Sequence, residues 1–135
     1  MTTDEFYILK SRAEGGQPEA QVFLGIVYLS QKDFGNAAKW FMKAAEQGNV
    51  QAQTKLGALF LTGQGVPKDE EKAAIWFGKA AEKGDARAQF HMGLLSQDEI
   101  KAVEWLRKAA NQGDTDAKNL LDEINAEERA KKERE

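Results

Sequence analysis

The chain has 135 residues and a formal net charge of −3, which suffices for one domain of ordinary size and disfavours a nucleic-acid or anionic membrane partner. It has no cysteine, so disulfides and thiolate metal sites are excluded and we expect a reducing cytoplasm as its location. It contains no apolar stretch of signal-peptide or membrane-span length, so we expect a soluble, unprocessed protein without a membrane partner.

The first predicted helix in chain order is the segment "DEFYILKSRAEGG", residues 4–16. Its Ile8 and Leu9 stand at the positions that a Trp–Phe or Trp–Leu pair takes in three later helices, which we name B helices. We therefore interpret the segment, about residues 3–14, as a capping B helix with no repeat before it.

Two short sequences then recur and define the repeats. "AQVFLG" begins at residue 20, "AQTKLG" at 52 and "AQFHMG" at 88; each opens an amphipathic helix, which we name an A helix, with apolar residues on one face. "WFMKAAEQGN" begins at Trp40, "WFGKAAEKGD" at Trp76 and "WLRKAANQGD" at Trp105, and each belongs to a B helix. Because aromatic residues in register inside a repeat are usually core, we predict that the three tryptophans are buried between repeats.

Helix boundaries recur in the same register. A glycine predicted to be left-handed ends each B helix, at Gly48, Gly84 and Gly113. A polar residue follows each glycine as the predicted N-cap of the next A helix, at Asn49, Asp85 and Asp114. An aspartate lies seven residues before each tryptophan as the predicted N-cap of its B helix, at Asp33, Asp69 and Asp98.

Each A helix also carries a glycine in its interior, at Gly25, Gly57 and Gly93. A glycine there costs about 1 kcal/mol relative to alanine, so we predict that another helix approaches closely at these positions.

The connection from A helix to B helix varies in length and is longest in the middle copy, "TGQGVPKDE". The first and third copies shorten it to "SQKD" and "SQD". We therefore predict that the loop Gly63–Lys68 projects into solvent and is dispensable for folding.

The C-terminal end departs from the pattern. Counting forward from the third repeat, the helix-interior glycine is replaced by Asp122, and no "W..KAA" segment follows. We interpret residues 115–126 as a capping A helix and residues 127–135 as a charged tail that forms its solvated, frayed extension.

The pattern "A..A...LG..Y", "G.GV..D" and "KA..W..KAAE.G" resembles the Sel-1-like repeat (SLR) family, which is related to the tetratricopeptide repeats. The middle copy fits best, and the other two lack the "G.GV" loop. The resemblance implies an all-α, right-handed α-solenoid of stacked helix–loop–helix repeats. We place about three repeats at 17–48, 49–84 and 85–113, with a half-repeat helix at each end, in one domain over residues 1–126.

The sequence offers little for catalysis, and we expect no catalytic, cofactor-binding or metal-binding residues and no cofactor. His91 is the only histidine, so zinc sites and nucleophile–base pairs are incomplete. The "GQG" at 63–65 lacks the lysine and hydroxyl residue of a phosphate loop. The repeated Gln21, Gln53 and Gln89 either bond neighbouring backbone or face a groove.

By resemblance, the A helices line the concave side of the solenoid. One stripe of each A helix is left after the core positions are assigned, and we predict it as the partner-binding groove. Its residues are Glu19, Val22, Ile26, Leu29, Gln51, Thr54, Ala58, Leu61, Arg87, Phe90, Leu94 and Gln97. The stripe is apolar enough to bind a helix or an extended peptide. The alternative is that capping helices and loops cover these side chains, which makes them ordinary core.

We therefore predict a non-enzymatic, monomeric module that binds a protein partner. Two uses remain open: an adaptor that assembles a complex, and an inhibitor or immunity protein that blocks a toxin or an enzyme. The resembling family also has cysteine-rich secreted members linked to cell-wall or antibiotic chemistry, which raises a hydrolase as a third interpretation, but this chain lacks their cysteines.

Overall fold

The computed structural model describes residues 1–135 and contains eight α-helices and no strands. The odd-numbered helices are B helices and the even-numbered helices are A helices. In chain order they are α1 (Thr3–Glu14), α2 (Pro18–Ser30), α3 (Phe34–Glu46), α4 (Val50–Thr62), α5 (Glu70–Glu82), α6 (Ala86–Leu95), α7 (Glu99–Asn111) and α8 (Thr115–Arg134). The predicted all-α class is confirmed, with half-repeat helices α1 and α8 at the two ends.

The predicted helix boundaries are confirmed by their hydrogen bonds. In α3, α4, α6, α7 and α8 the side chain of the predicted N-cap residue accepts a hydrogen bond from a backbone N–H group of the first helical turn. Asp69, which directly precedes α5, likewise accepts a hydrogen bond from the backbone N–H of Lys72. Gly48, Gly84 and Gly113 have φ values of 91°, 100° and 98°, the left-handed region in which a side chain is strained. Local sequence therefore determines where each helix begins and ends.

The chain forms two compact units, Met1–Ala80 and Ala81–Glu135, which we name the N-unit and the C-unit. In the N-unit, α2 packs on α1 and α3, and α3 packs on α4. In the C-unit, α7 packs on α6 and α8.

Each A helix contacts its own B helix at the interior glycine. A Cβ atom built on Gly25 would lie 2.7 Å from Cε1 of Phe41, and one on Gly57 would lie 2.8 Å from Cδ1 of Phe77. In the C-unit, a Cβ atom on Gly93 would lie 2.7 Å from Cδ2 of Leu106. The close approach predicted from these glycines is confirmed, and the residue that fills the space is the one that follows each tryptophan.

Burial of the three tryptophans differs from the prediction. Trp40 is buried against Ala13, Ala20 and Leu24, as predicted, with Phe6 and Leu9 packed beside it. Trp76 and Trp105 are only half-buried, so the prediction that all three tryptophans are buried is wrong for these two.

A lysine three residues after each tryptophan explains how these rings tolerate partial exposure. The Nζ atoms of Lys43, Lys79 and Lys108 lie 4.9, 4.9 and 4.7 Å from the ring centroids of the respective tryptophans. Such cation–π pairs shield the ring face while leaving the charge hydrated. The recurring "W..K" sequence therefore places a lysine over the tryptophan ring on α3, α5 and α7, and for Trp76 and Trp105 this pair lies at the surface.

The long loop of the middle repeat does not simply project into solvent. Most of its residues are exposed, but Gly65 lies against the backbone of Phe34, at the start of α3. A Cβ atom on Gly65 would lie 2.1 Å from the Phe34 carbonyl oxygen, so the loop packs on the first repeat of the N-unit. The prediction of a free loop is wrong at this residue.

The charged C-terminal tail is part of the last helix. α8 continues through Arg134, and its last ten residues are almost entirely exposed. None of the eight helices has the length and apolar character needed to cross a membrane.

We predict that Gly57→Ala destabilises the protein, although alanine is the better helix former. The added methyl group meets the buried Phe77 ring, and overpacking of this kind costs about 1–3 kcal/mol. Alanine returns only about 1 kcal/mol of helix propensity. Urea denaturation measures the difference. Gly35→Ala in α3 is the matched control, because its Cβ atom meets nothing within 4 Å, so it should be neutral or stabilising.

We further predict that Gly65→Ala destabilises more than Gly16→Ala in the same assay. Both glycines have positive φ, 75° and 94°, so both substitutions introduce backbone strain of about 1–2 kcal/mol. Only Gly65→Ala also drives a methyl group into the Phe34 carbonyl, since the space around Gly16 is open. Equal losses would show that the loop does not pack on α3.

Candidate protein-binding surface

The predicted stripe in the N-unit is partly exposed. Glu19 and Gln51 are exposed, and the stripe residues of intermediate exposure are Ile26, Leu29, Thr54, Ala58 and Leu61. Val22 is buried, with 4% of its surface exposed, which corrects the expectation that it faces a groove. The exposed apolar surface of this unit therefore lies in the later turns of α2 and α4.

In the C-unit, the stripe divides in the same way. Arg87 and Gln97 are exposed, and Leu94 keeps 51% of its surface exposed. Phe90 is buried, at 8%, and packs with Leu106, Ala109 and Ala117. The expectation that Phe90 lines an open groove is wrong, because it belongs to the core of this unit.

Val22 and Phe90 share a register position that explains their burial. Each stands three residues before an interior glycine, Gly25 or Gly93, and therefore about one helical turn from the point of closest helix approach. Thr54 holds the same position in α4 and is half-buried. This position belongs to the edge of the core rather than to the surface.

The guanidinium of Arg87 covers the outer side of Phe90. It lies 4.4 Å from the ring centroid, and its Nη1 atom lies 3.2 Å from Oδ2 of Asp114 and 2.8 Å from Oδ2 of Asp116. Burial by itself lowers the pKa of Arg87. The hydrogen bonds to Asp116 and Asp114, together with the negative charges of both carboxylates, outweigh this effect, so the pKa of Arg87 lies above its ordinary value. Arg87 thus remains charged and fixed over the ring.

His91 lies in surroundings that disfavour its charged form. It lies beside Phe90, with ring centroids 5.4 Å apart. Burial, followed by the positive charge of Arg87, lowers the pKa of His91 below its usual value. The imidazole is therefore neutral at pH 7, and no cluster of three or more histidine or carboxylate side chains in the chain is arranged to hold a metal ion.

The three repeated glutamines are structural. All are buried and donate through Nε2 to a backbone carbonyl oxygen at the end of the preceding B helix. The pairs are Gln21 to Ala13 at 3.1 Å, Gln53 to Ala45 at 3.3 Å and Gln89 to Ala81 at 3.2 Å. Of the two alternatives that the sequence left open, the backbone bond is the observed one.

The structure also exposes an aromatic residue that the predicted stripe omitted. Phe23 on α2 has 52% of its surface exposed. The sequence carried a signal for this, because the matching positions of the other two repeats hold the polar Lys55 and His91. A position that tolerates lysine in one copy faces solvent in its neighbours.

We predict that Phe90→Glu and Leu94→Glu have different effects on folding. Loss of the buried ring alone costs about 3–5 kcal/mol, and the unpaired buried charge adds to that loss. Leu94→Glu changes a half-exposed surface position and should stay within about 0.5 kcal/mol of the parent. Circular-dichroism melts decide the question. A Phe90→Glu variant that melts like the parent would return Phe90 to the surface.

Comparison with known proteins places these features in a family. The Sel1 repeat family model matches residues 18–49, 50–85 and 86–114, within one residue of the repeats predicted from the sequence. A crystal structure of a Sel1 repeat protein from Oxalobacter formigenes is 35% identical over 88% of this chain and 98% of its own, with a TM-score of 0.77. A protective antigen of uropathogenic Escherichia coli with an SLR fold is 38% identical, with a TM-score of 0.78, over 83% of this chain.

Two of these relatives are much longer than this chain. The chain covers 26% of the E. coli antigen. It also matches the rat protein DAP3-binding cell death enhancer 1, at 36% identity over 64 residues, which is 46% of this chain and 13% of that protein. The three matched repeats, their register and the shared fold lead to one conclusion: this chain belongs to the Sel1 repeat family.

Proposed function

We propose that this protein is an adaptor that binds a peptide or helix of a partner protein on the exposed part of its A-helix stripe. The observation that carries the proposal is the apolar surface that remains outside the core in both units. The N-unit contributes Ile26 and Leu61, with Phe23 as an additional aromatic contact. The C-unit contributes Leu94.

Exposed apolar side chains aligned on helices are typical of docking surfaces for peptides and helices. Val22 and Phe90 support this surface from below rather than contact the partner, because both are buried. Arg87 lies two helical turns before Leu94 on α6, and its charge is paired with Asp114 and Asp116. The surface in the C-unit therefore offers apolar contact at Leu94 and an ion-paired cluster at the start of α6.

The family supports binding over chemistry. Sel1 repeat proteins generally mediate protein–protein interaction, and the rat relative is named for binding another protein. Since this chain covers only 13% of that relative, the identity of its partner does not follow from the name. We propose a non-catalytic role, in keeping with a single neutral histidine and the absence of a metal-binding cluster.

The test compares two exposed apolar residues on different helix types. Leu94 on A helix α6 and Ile75 on B helix α5 have similar exposed fractions, 51% and 57%. A photo-crosslinking amino acid at either position, expressed in the native host, identifies what contacts each surface. The A-helix position should capture a protein, and the purified partner then allows the affinity to be measured.

We predict that Leu94→Glu weakens binding of that partner at least about tenfold, or about 1.4 kcal/mol. Ile75→Glu places the same charge on a B helix and should leave the affinity unchanged. Phe23→Glu extends the test to the N-unit. If the Ile75 variant loses binding while the Leu94 and Phe23 variants keep it, the partner docks on the B helices and the proposal is wrong.

A further inference from the structure

The first repeat shows how the array seats a B helix. Trp40 of α3 lies in a cluster made by the preceding B helix and by its own A helix. The preceding helix contributes Phe6, Leu9 and Ala13, and the A helix contributes Ala20, Leu24 and Tyr28. Phe6 and Tyr28 close the outer edge of this seat with an edge-to-face contact, ring centroids 6.2 Å apart.

The same positions recur at the end of the C-unit, without a B helix on them. Val103, Leu106 and Ala110 of α7 correspond in register to Phe6, Leu9 and Ala13. In α8, Ala117, Leu121 and Asn125 correspond to Ala20, Leu24 and Tyr28. These helices pack together as α1 and α2 do, and in the structure no B helix covers this position.

A cleft lies at the outer edge of this position, where Val103 and Asn125 are the two of the six corresponding residues that line it. It has a volume of about 850 Å³ and lies between α7 and the C-terminal half of α8. Val103, Ile124 and Asn125 line it, together with Ile100, whose surface is 73% exposed. An isoleucine that exposed beside a cleft offers an apolar contact to a docking helix.

Asp122 lies on α8 one turn before Asn125, outside the lining of the cleft, and its position in the repeat bears on which helix can dock here. It stands eight residues after the N-cap Asp114, as Gly57 and Gly93 stand eight residues after Asn49 and Asp85. At those glycines the residue after the tryptophan of the B helix comes so close that no Cβ atom fits. A helix that placed phenylalanine or leucine there would meet the Asp122 carboxylate, whereas a basic residue would pair with it.

The charges around the cleft favour the same partner. Four glutamates line it (Glu99, Glu104, Glu127 and Glu128), against three basic residues. None of these side chains forms an ion pair within the chain, and Asp122 adds a further carboxylate one turn before Asn125. The cleft and its edge thus carry excess, unpaired negative charge.

We propose that the α7–α8 cleft is a second binding site, separate from the A-helix stripe, for an amphipathic helix of a partner protein. The helix inserts an aromatic or aliphatic anchor where a B helix places its tryptophan. A lysine or arginine follows the anchor directly and pairs with Asp122. The cleft thereby extends the interface that joins successive repeats within the chain, with an altered specificity.

The chain supplies its own probe. A labelled peptide with the sequence of α5, "EEKAAIWFGKAAE", carries the anchor Trp76 followed by Phe77. A second peptide carries the Phe77→Lys change. Fluorescence anisotropy measures binding of both peptides to the 135-residue protein and to its Asp122→Gly and Ile100→Glu variants, with peptide concentrations into the millimolar range because short isolated helices are only marginally formed.

We predict that the wild-type protein binds the Phe77→Lys peptide about tenfold more tightly than the unmodified peptide. Asp122→Gly should reverse this preference, since it restores the glycine on which phenylalanine packs. Ile100→Glu should weaken binding of both peptides at least about tenfold. Circular-dichroism melts confirm that both variants fold, which is expected because residues 100 and 122 are exposed.

Three outcomes would overturn the proposal. The first is that the Phe77→Lys peptide fails to bind at millimolar concentration. The second is that Asp122→Gly leaves the preference between the two peptides unchanged. Alternatively, sedimentation without peptide shows self-association that Ile100→Glu abolishes, in which case a second copy of the chain occupies the cleft. The effect of Leu94→Glu on partner binding does not depend on any of these three outcomes. The A-helix stripe and the α7–α8 cleft are therefore tested separately.

Discussion

The contact between a helix-interior glycine and the side chain that follows the tryptophan is the constraint on which each repeat depends. Without a Cβ atom at Gly57, the Phe77 ring reaches the backbone of α4 and becomes fully buried. The glycine weakens its own helix by about 1 kcal/mol, but burial of a phenylalanine side chain contributes about 1.5–3 kcal/mol. The hairpin is therefore more stable than its A helix alone would suggest.

Buried glutamines supply the second link, between one repeat and the next. Gln21 donates to the Ala13 carbonyl and accepts from Gln47, whose amide also donates to the Gly16 carbonyl. Gln89 and Gln112 form the same arrangement in the C-unit. A hydrogen-bonded amide fixes register in a way that apolar packing does not, because a shift along the helix leaves a buried polar group unpaired. In the second repeat Lys83 stands where the other two have Gln47 and Gln112, and the Oε1 atom of Gln53 is buried without a hydrogen-bond partner.

The fold could be predicted from the sequence because three repeats carry the same local pattern of helix caps and glycines. Caps, turn glycines and interior glycines act over a few residues, so their effect is visible in the sequence. Exposure is a different matter. Phe90 is covered because Arg87, three residues earlier, is held over it by Asp114 and Asp116 on another helix. The burial of Phe90 therefore depends on distances between helices, and these cannot be read from the spacing of apolar residues within a single helix.

Comparison of the copies separates folding from binding. Positions that keep one residue type in all three repeats, such as the glutamines and interior glycines, are occupied by hydrogen bonds or close packing inside the protein. Two positions that change type are at least partly exposed in every copy: Phe23 aligns with Lys55 and His91, and Ile26 aligns with Ala58 and Leu94. The position of Val22, Thr54 and Phe90 also changes type, but it lies at the edge of the core. On the proposed docking surface, the exposed positions that differ between repeats are therefore the ones expected to set specificity. Asp122 is a further difference between copies, because it stands at the position that is glycine in α2, α4 and α6.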